Sequence, residues 1–403
     1  MWKNLRNLVF GGVASKVLLG LANIFLIREL TKSDFTLLSN FLFIQSMVSG
    51  LLFTPFLLAA VPFSNLKKIQ NYNRFFSALN WFQMGFLAFI MMFAWLYGPE
   101  LSIDLFHKSQ FYPSILLGLG ASIVMTFQNI LLSQQVTVEA YKRYNVINII
   151  RPIALLTILG TLYAFNYLNF WTASLSFLFS ISMSFIGDLS SFFSLFSVKG
   201  FRLRLYQFNW FWNSAWMLVV FFFVRGTFDH IGFFYVTRYF SIEDIANFSV
   251  PSRYYYMADL IIVTSHIPFI NSFTKESSSQ SRAKFVKWIK VTGLVSLFGL
   301  LILPFSKEIF VLLSGEKYEV SFPYFCILMI GLIPYLCFSP AIYGVIAKDG
   351  GRFLLSLSLL SLLIHLGFCW FGSQNKELNL IAFSTVFSRA VIYVGSTIYL
   401  FKR

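Results

Sequence analysis

The sequence predicts an all-α integral membrane protein with about 12 transmembrane helices, arranged in two lobes of six helices each. Three observations carry this prediction. The chain is strongly apolar, it contains about twelve stretches long enough to cross a bilayer, and one turn motif occurs twice, half a chain apart. We expect the N-terminal lobe to comprise residues 1–205 with spans 1–6, and the C-terminal lobe to comprise residues 206–403 with spans 7–12.

The composition excludes an ordinary soluble protein. Hydrophobic residues make up 57% of the chain, charged residues make up 12%, and the mean hydropathy is +0.71. Soluble domains carry about 25% charged residues, so this chain lacks the side chains for a polar shell and must face lipid. In a soluble protein the net charge of +15 would suggest a nucleic-acid partner. Here we assign the charge to cytoplasmic loops and a functional interior, and we expect no nucleic-acid partner.

The cysteines predict neither a metal site nor a cofactor site. Cys326, Cys337 and Cys369 lie in apolar runs, with no C-x-x-C motif and no histidine at metal-ligand spacing. We interpret them as packing residues. Coupling of the protein to a proton or sodium gradient is left open.

The spans follow from length, because a bilayer core needs about 20 apolar residues per helix. The M-W-K-N-L-R start leads into the first stretch without a cleavage site, which predicts an uncleaved first span. The short linkers leave no room for a soluble catalytic domain, so we do not expect an enzyme. The predicted spans are approximately 6–29, 35–61, 75–98, 111–136, 146–166, 169–196, 208–235, 247–270, 285–305, 320–346, 353–371 and 378–400.

The distribution of Lys and Arg predicts the orientation. Alternate loops, starting from the N-terminus, hold most of these residues, among them Lys67, Lys68, Lys142 and Arg143. Cytoplasmic loops are the ones enriched in Lys and Arg. We therefore expect both termini in the cytoplasm of a bacterial cell whose inner membrane the protein crosses many times.

The repeated motif reads R-E-L-T-K-S-D-F-T-L-L-S at 28–39 and, about half the chain later, R-Y-F-S-I-E-D-I-A-N-F-S at 238–249. Thr31 and Ser241 are predicted to cap the next helix, each with an aspartate three residues on. Two hairpin turns with the same capping requirement would explain this much. A second pair, Y-K-R-Y at 141–144 and G-G-R-F at 350–353, has nearly the same separation and favours an internal duplication, like the parallel repeats of transporters.

These motifs resemble those of the polysaccharide (O-antigen) flippases, which belong to the multidrug/oligosaccharidyl-lipid/polysaccharide exporter superfamily. The first copy is similar to the turn after their first span, and S-G-E-K-Y at 314–318 is similar to their G-x-x-Y. Thr36 and Ala246 depart from the pattern by replacing its glycines. The positions that match the family's segment at the seventh span are Asp229, Ser241, Glu243, Ile245, Phe248 and Ser249.

Several charges lie inside predicted spans, where an ionised group costs about 2.5–3.5 kcal/mol on insertion scales. The cations, which we predict to form a substrate-binding cavity, are Lys16, Arg225, Arg253 and Arg389. The acids, which we predict to act in ion coupling or charge pairing, are Asp229, Asp259 and Asp188. Lys16 and Arg225 occupy nearly the same place in the two repeats. The resemblance implies an inner cavity between the lobes, walled by helices 1, 2, 7 and 8, in which cations would bind a diphosphate or an acidic sugar.

Structural roles for the same charges stay open. Arg225 and Asp229 are four residues apart on one helix and could neutralise each other. Arg253 could reach the outer interface along its own side chain. Arg389 could pair with Asp188 or with a second acid, Asp259. For Asp229, a pairing role and an ion-coupling role are both consistent with the sequence.

The resemblance implies a flippase that moves an undecaprenyl-diphosphate-linked oligosaccharide for lipopolysaccharide or other surface-polysaccharide assembly. We expect it to work as a monomer and to contact the polysaccharide polymerase or the chain-length machinery. One alternative is a multidrug or cation antiporter of the same fold, but that class needs acids in the N-terminal lobe, where helix one has Lys16. Another is a membrane-embedded polymerase or acyltransferase, although the outer linkers 99–110 and 306–319 hold no catalytic constellation.

Overall fold

The computed structural model describes residues 2–53, 72–137, 140–194, 205–265, 273, 278–348 and 350–402. Within these ranges only the backbone is described for 2–11, 51–53, 72–79, 136–137, 141, 194, 205–215, 218, 229, 259–261, 263–265, 278 and 347. The described residues form helices and no strand, so the all-α prediction is confirmed.

We call residues 2–194 the first half and residues 205–402 the second half. The first half contains α1 (Trp2–Glu29), α2 (Lys32–Ser46), α3 (Tyr72–Tyr97), α4 (Pro99–Phe106), α5 (Tyr112–Thr137), α6 (Tyr141–Ala164), α7 (Phe170–Met183) and α8 (Leu189–Ser194). A π-helical segment, Met47–Phe53, continues α2, and 3-10 turns lie at Ser109–Phe111 and Ser184–Asp188.

The second half also contains eight described helices. It contains α9 (Leu205–Tyr239), α10 (Ile242–Ser265), α11 (Ser278–Ile302), α12 (Lys307–Ser314), α13 (Phe322–Phe338), α14 (Ala341–Ala347), α15 (Gly351–Gln374) and α16 (Leu378–Lys402). The 3-10 turns here lie at Leu303–Ser306 and Glu316–Ser321.

Nine helical regions among the described residues are long and apolar enough to cross a membrane. They correspond to the predicted spans 3–7 and 9–12. The other three predicted spans, 6–29, 35–61 and 247–270, coincide with α1, α2 and α10, and the last two extend beyond the described residues. The protein is therefore a multi-pass membrane protein with about twelve membrane-spanning helices.

The boundaries of the helices repeat along the chain. α1 and α9 end at Glu29 and Tyr239, and α6 and α15 end at Ala164 and Gln374, so both pairs of ends have the same separation, about half the chain. The short helices α4 and α12 have the same length and nearly the same separation. These repeated ends are consistent with a six-plus-six duplication, although α13 and α14 stand where the first half has α5 alone, and α16 stands where it has α7 and α8.

The turns in the two copies of the repeated motif cap the helices that follow them, as predicted. The Asp34 amide donates to Thr31 Oγ1 at 3.1 Å, and the Asp244 amide donates to Ser241 Oγ at 3.1 Å. In the second turn the Ser241 amide also donates to Asp244 Oδ2 at 3.4 Å. Each side chain satisfies a backbone donor that the first helical turn leaves without a partner, so α2 and α10 begin at the same register position.

The chain divides into two compact units. The first is Met1–Ala22 with Glu29–Thr227, and the second is Asn23–Arg28 with Phe228–Arg403. Both α1 and α9 have residues in each unit. The lobe boundary predicted at 205 and 206 stays a prediction.

In the first unit α5 is the central helix, packing against α2, α3, α6 and α7. Small residues at every fourth position of α5 make its contact with α2 close. Ser114 and Ser122 donate to the carbonyls of Leu37 and Gln45 at 3.0 and 3.2 Å. Between them, a Cβ on Gly118 would lie 2.9 Å from the Phe41 carbonyl oxygen. Small residues at such spacing let membrane helices approach until their backbones touch.

In the second unit α16 has the corresponding role, packing against α13, α14 and α15. Gly331 of α13 faces Val386 of α16 so closely that an added Cβ would overlap the valine side chain. Ser361 of α15 donates to the Ser388 carbonyl of α16 at 2.9 Å. Both units therefore rely on small residues and short backbone-directed hydrogen bonds at their central helix.

Candidate substrate-binding site

Lys16 lies half-buried on α1, at a contact between α1 and α6 inside the first unit. Its neighbour Ser15 donates to the Asn148 carbonyl oxygen of α6 at 2.7 Å. Residues three apart on a helix share a face, so Arg151 follows Asn148 on the same side of α6. Lys16 and Arg151 lie close enough for their positive charges to repel each other. We call these two residues the cation pair.

Two side chains of α5 contact the guanidinium of Arg151. Its Nη1 donates to Gln128 Oε1 at 3.3 Å and contacts Met125 Sδ at 3.2 Å. Gln128 is itself buried. The Nε–H of Arg151 is buried with no hydrogen-bond partner among the described residues. One side of the guanidinium is thus fixed by protein, and a strong donor on it is left unused.

Asp188 serves a different contact in the same unit. It accepts from Gln135 Nε2 at 2.8 Å, from Ser190 Oγ at 3.0 Å and from the Ser191 amide at 3.2 Å. Arg143 completes the set at 3.5 Å, with an exposed side chain. Its hydrogen-bond partners in the described part of the chain make Asp188 a structural tie between α5, α6 and the turn that precedes α8.

The other predicted cations are placed but not brought together by any contact that the structure describes. Arg225, in the first unit, and Arg253, in the second, are half-buried on α9 and α10, and each has interaction partners of its own. The side chains of Asp229 and Asp259 lie outside the described residues. The predicted convergence of Lys16 with Arg225 and Arg253 therefore stays a prediction.

Arg389 is held by an aromatic residue that the sequence did not point to. It is buried on α16, its Nη1 donates to the Tyr255 hydroxyl at 2.6 Å, and its guanidinium carbon lies 4.9 Å from the centroid of the Tyr255 ring. Both contacts lie within the second unit and connect α16 with α10. A hydrogen bond and a cation–π contact together compensate part of the cost of burying this charge.

A small pocket lies beside Tyr255 in the second unit. The pocket can hold about one water molecule and is too small for a sugar. Its wall is mainly aromatic and includes Phe228, Phe233 and Phe248, with hydroxyl-bearing side chains at Ser252, Tyr255, Tyr256 and Thr385.

The three cysteines, which the sequence predicts to be packing residues, are at least half-buried. Cys337 and Cys369 are buried, and Cys326 is half-buried. Cys369 Sγ lies 3.3 Å from Ser384 Oγ and 3.8 Å from His365 Nδ1, inside the second unit. Within the described ranges no group of three or more His, Cys, Asp or Glu residues could hold a metal ion.

Arg151 is the residue that sequence reasoning missed as part of a site. Its span contains no acid within one helical turn of it, and that absence was a usable signal. What the sequence could not supply was the packing of α1 on α6, which sets Arg151 beside Lys16.

Comparison with protein-family models found no match, and comparison with curated protein sequences found none. Among solved structures, the chain is similar to the lipid II flippase MurJ in an inward closed conformation, with 15% identity, a TM-score of 0.71, and coverage of 98% of this chain and 87% of that one. It is also similar to a mutant of the MATE transporter VcmN of Vibrio cholerae, with 11% identity, a TM-score of 0.65, and coverage of 99% and 96%.

A third similar structure is a MOP superfamily transporter of Pyrococcus furiosus, described by a binding pocket of reversed polarity. Here the identity is 10%, the TM-score is 0.64, and the coverage is 100% of this chain and 95% of that one. These structures are transporters, and the similarity extends over nearly the whole chain rather than over one bundle. The chain has the fold that these transporters share.

Proposed function

We propose that this protein is a flippase that moves an undecaprenyl-diphosphate-linked oligosaccharide across the bacterial inner membrane for surface-polysaccharide assembly. The headgroup enters a cationic site while the polyprenyl chain stays in lipid. Alternating access carries the headgroup across, with both termini in the cytoplasm. Net movement requires that the inward-facing and outward-facing states differ in affinity for the substrate or for a coupling ion.

The observation that carries this proposal is the sign of the charge inside the first unit. Lys16 and Arg151 are two cations near enough to repel each other, and no carboxylate forms an ion pair with either of them among the described residues. Cations at membrane depth mark substrate pathways when they are not paired. Phosphate is a preferred partner of both Arg and Lys, so an anionic headgroup fits this unit.

A multidrug or cation antiporter is the second candidate, because similar structures include a MATE transporter. Such a protein would bind cations with acids. In the first unit the acid Asp188 is already bound by Arg143 and three other donors, and the cation pair would repel a cationic drug. A polymerase or acyltransferase has less support, since the similar structures are transporters.

The proposal includes partners and energetics. The protein would act as a monomer without a cofactor, in contact with the polymerase or chain-length proteins that consume its product. A proton or sodium gradient would drive it, with Asp229 or Asp259 as the group that binds the ion. Arg225, Arg253 and Arg389 would add positive charge along the path of the headgroup.

A deletion and complementation experiment in the native host tests the function. We expect deletion to abolish surface polysaccharide and to cause lipid-linked oligosaccharide to accumulate. The wild-type gene should restore both. Lys16→Ala and Arg225→Ala should each restore much less polysaccharide, at equal protein abundance in the membrane. Lys142→Ala is the control, because Lys142 is an exposed cation at the start of α6.

Two outcomes would contradict the proposal. Normal surface polysaccharide in the deletion strain, together with increased sensitivity to cationic dyes, would identify drug export instead. Full restoration by both alanine variants would leave the flippase in place but would exclude a cationic binding site at Lys16 and Arg225.

A further inference from the structure

We propose that Lys16 and Arg151 together form the subsite that binds the diphosphate of the lipid-linked substrate, at the contact between α1 and α6 within the first unit. Only the identity of the substrate rests on the proposed function. The subsite itself rests on the geometry and charge of the cation pair.

The geometry places both side chains at one contact. The bond of 2.7 Å from Ser15 to the Asn148 carbonyl fixes α1 against α6 at the residue next to Lys16. Arg151 follows Asn148 by three residues and therefore lies on the same side of α6. Both residues keep part of their surface exposed, while the Nε–H of Arg151 is itself buried.

The charges call for an anion. Two positive groups that repel each other in a membrane-embedded unit are unfavourable unless a ligand, or groups of the protein, neutralise them. The described partners of Arg151 are the amide oxygen of Gln128 and the sulfur of Met125, and both are uncharged. No described carboxylate pairs with Lys16. The charge of +2 is therefore left for a ligand.

The donors favour a diphosphate over a single carboxylate. Nη1 of Arg151 donates to Gln128, and the Nε–H has no described partner. In an access state that exposes it, the Nε edge would bind two oxygens of one phosphoryl group, while the ammonium of Lys16 donates to the next. A uronic acid carries one negative charge and would neutralise only half of the pair.

Binding to the purified protein in detergent tests the subsite directly. The probes are farnesyl diphosphate, inorganic diphosphate and glucuronate, with dissociation constants measured by microscale thermophoresis. For the wild type we expect farnesyl diphosphate to bind more tightly than inorganic diphosphate, and glucuronate to bind weakest. Lys16→Gln and Arg151→Gln should each weaken farnesyl diphosphate binding at least about tenfold, the effect of losing one charge-assisted hydrogen bond. Lys142→Gln, on the same helix as Arg151, should leave it unchanged.

A second measurement separates a binding role from a structural one. Because the two cations repel each other, each Gln variant should unfold at a temperature equal to or above that of the wild type without ligand, and should lose the stabilisation by farnesyl diphosphate that the wild type gains. Arg151→Lys should keep part of the affinity, since it keeps the charge and loses the two-pronged geometry.

The proposal is overturned if the wild type does not bind farnesyl diphosphate, if both Gln variants bind it as tightly as the wild type, or if glucuronate binds more tightly than farnesyl diphosphate. Failure of the proposed flippase function, with the subsite intact, would give a different combination of binding and deletion results. In that case the Gln variants would lose diphosphate binding, but deletion of the gene would leave surface polysaccharide intact.

Discussion

The two halves of this protein share a backbone plan but not a distribution of charge. Several helix ends recur about half a chain apart, and equivalent turns are capped by Thr31 and Ser241. When the halves are aligned by the ends of α6 and α15, Arg151 corresponds to Ser361. Ser361 carries no charge, and its hydroxyl donates to the Ser388 carbonyl. The cation pair therefore has no equivalent at Ser361.

The repeat thus specifies packing, whereas the subsite proposed here includes a position, Arg151, at which the two halves differ. In the first half α6 presents an arginine whose Nε–H has no described partner, and in the second half α15 closes onto α16 through a small hydroxyl. The buried cation of the second half, Arg389, is instead bonded to Tyr255. Arg389 thus has a described hydrogen-bond acceptor, whereas the Nε–H of Arg151 has none.

The largest effect on stability should come from the glycines at the central helix of each half. Gly118→Ala would set a Cβ 2.9 Å from the Phe41 carbonyl oxygen, and Gly331→Ala would overlap Val386. Overpacking of this kind costs about 1–3 kcal/mol or more. We expect a large fall in the unfolding temperature of both variants in detergent, and a larger fall for Gly118→Ala because a backbone atom cannot rotate away.

Two glycines with open surroundings provide the control for these substitutions. No atom lies within 4 Å of a Cβ added to Gly85 of α3 or Gly367 of α15. Alanine there should preserve or raise the unfolding temperature, because alanine is the better helix former. Equal stability of Gly118→Ala and Gly85→Ala would contradict the close contact between α2 and α5.

The next effect concerns the hydrogen bond between Arg389 and Tyr255 in the second half. Tyr255→Phe keeps the ring but removes the hydroxyl that accepts from Arg389. A buried donor left without its acceptor costs about 1–3 kcal/mol. Arg389→Met should destabilise by a similar amount, and adding Tyr255→Phe to it should cost little more. If the two effects simply add in unfolding measurements, the residues are not coupled in this way.

The helix caps allow a direct comparison of the halves. Thr31→Ala and Ser241→Ala should each cost about 1 kcal/mol, because each removes an acceptor for the amide of the aspartate three residues on. Ser241→Ala should cost somewhat more, since the Ser241 hydroxyl also donates to Asp244 Oδ2 at 2.7 Å, a shorter bond than the 3.0 Å from Thr31 to Asp34. Thermal unfolding of the two variants, each with a Ser or Thr exchange as control, measures the difference. A larger loss at Thr31 would reverse this ranking.

The smallest effect concerns the C-terminal ends of α1 and α9. Lys317 Nζ donates to the Arg28 carbonyl at 2.7 Å, and Lys376 Nζ donates to the Tyr239 carbonyl, so each lysine caps one of these equivalent helices. Cations at helix C-termini contribute less than about 1 kcal/mol each. Lys317→Met and Lys376→Met should therefore lower the unfolding temperature slightly and by similar amounts. High salt should reduce both effects, and an effect that salt leaves unchanged would argue against an electrostatic cap.

The sequence predicts those features of the fold that depend on neighbouring residues. Span lengths, the capping turns at Thr31 and Ser241, and the buried cysteines follow from apolar runs and from local hydrogen-bonding chemistry. The partners of the intramembrane charges do not, because they depend on which helices pack together. Gln128 reaches Arg151 from another helix, and Tyr255 lies far before Arg389 in the chain. Such contacts have no local signature.

The central claim is that the first half binds the anionic headgroup through the cation pair. The most direct test is the transbilayer movement of a fluorescent, short-chain polyprenyl-diphosphate sugar in proteoliposomes that contain the purified protein. We predict that Lys16→Gln and Arg151→Gln each slow this movement at least about tenfold, the effect of one lost charge-assisted hydrogen bond. Ser361→Ala, at the position equivalent to Arg151, should leave the rate within about twofold. Equal rates for the wild type and both Gln variants would contradict the account.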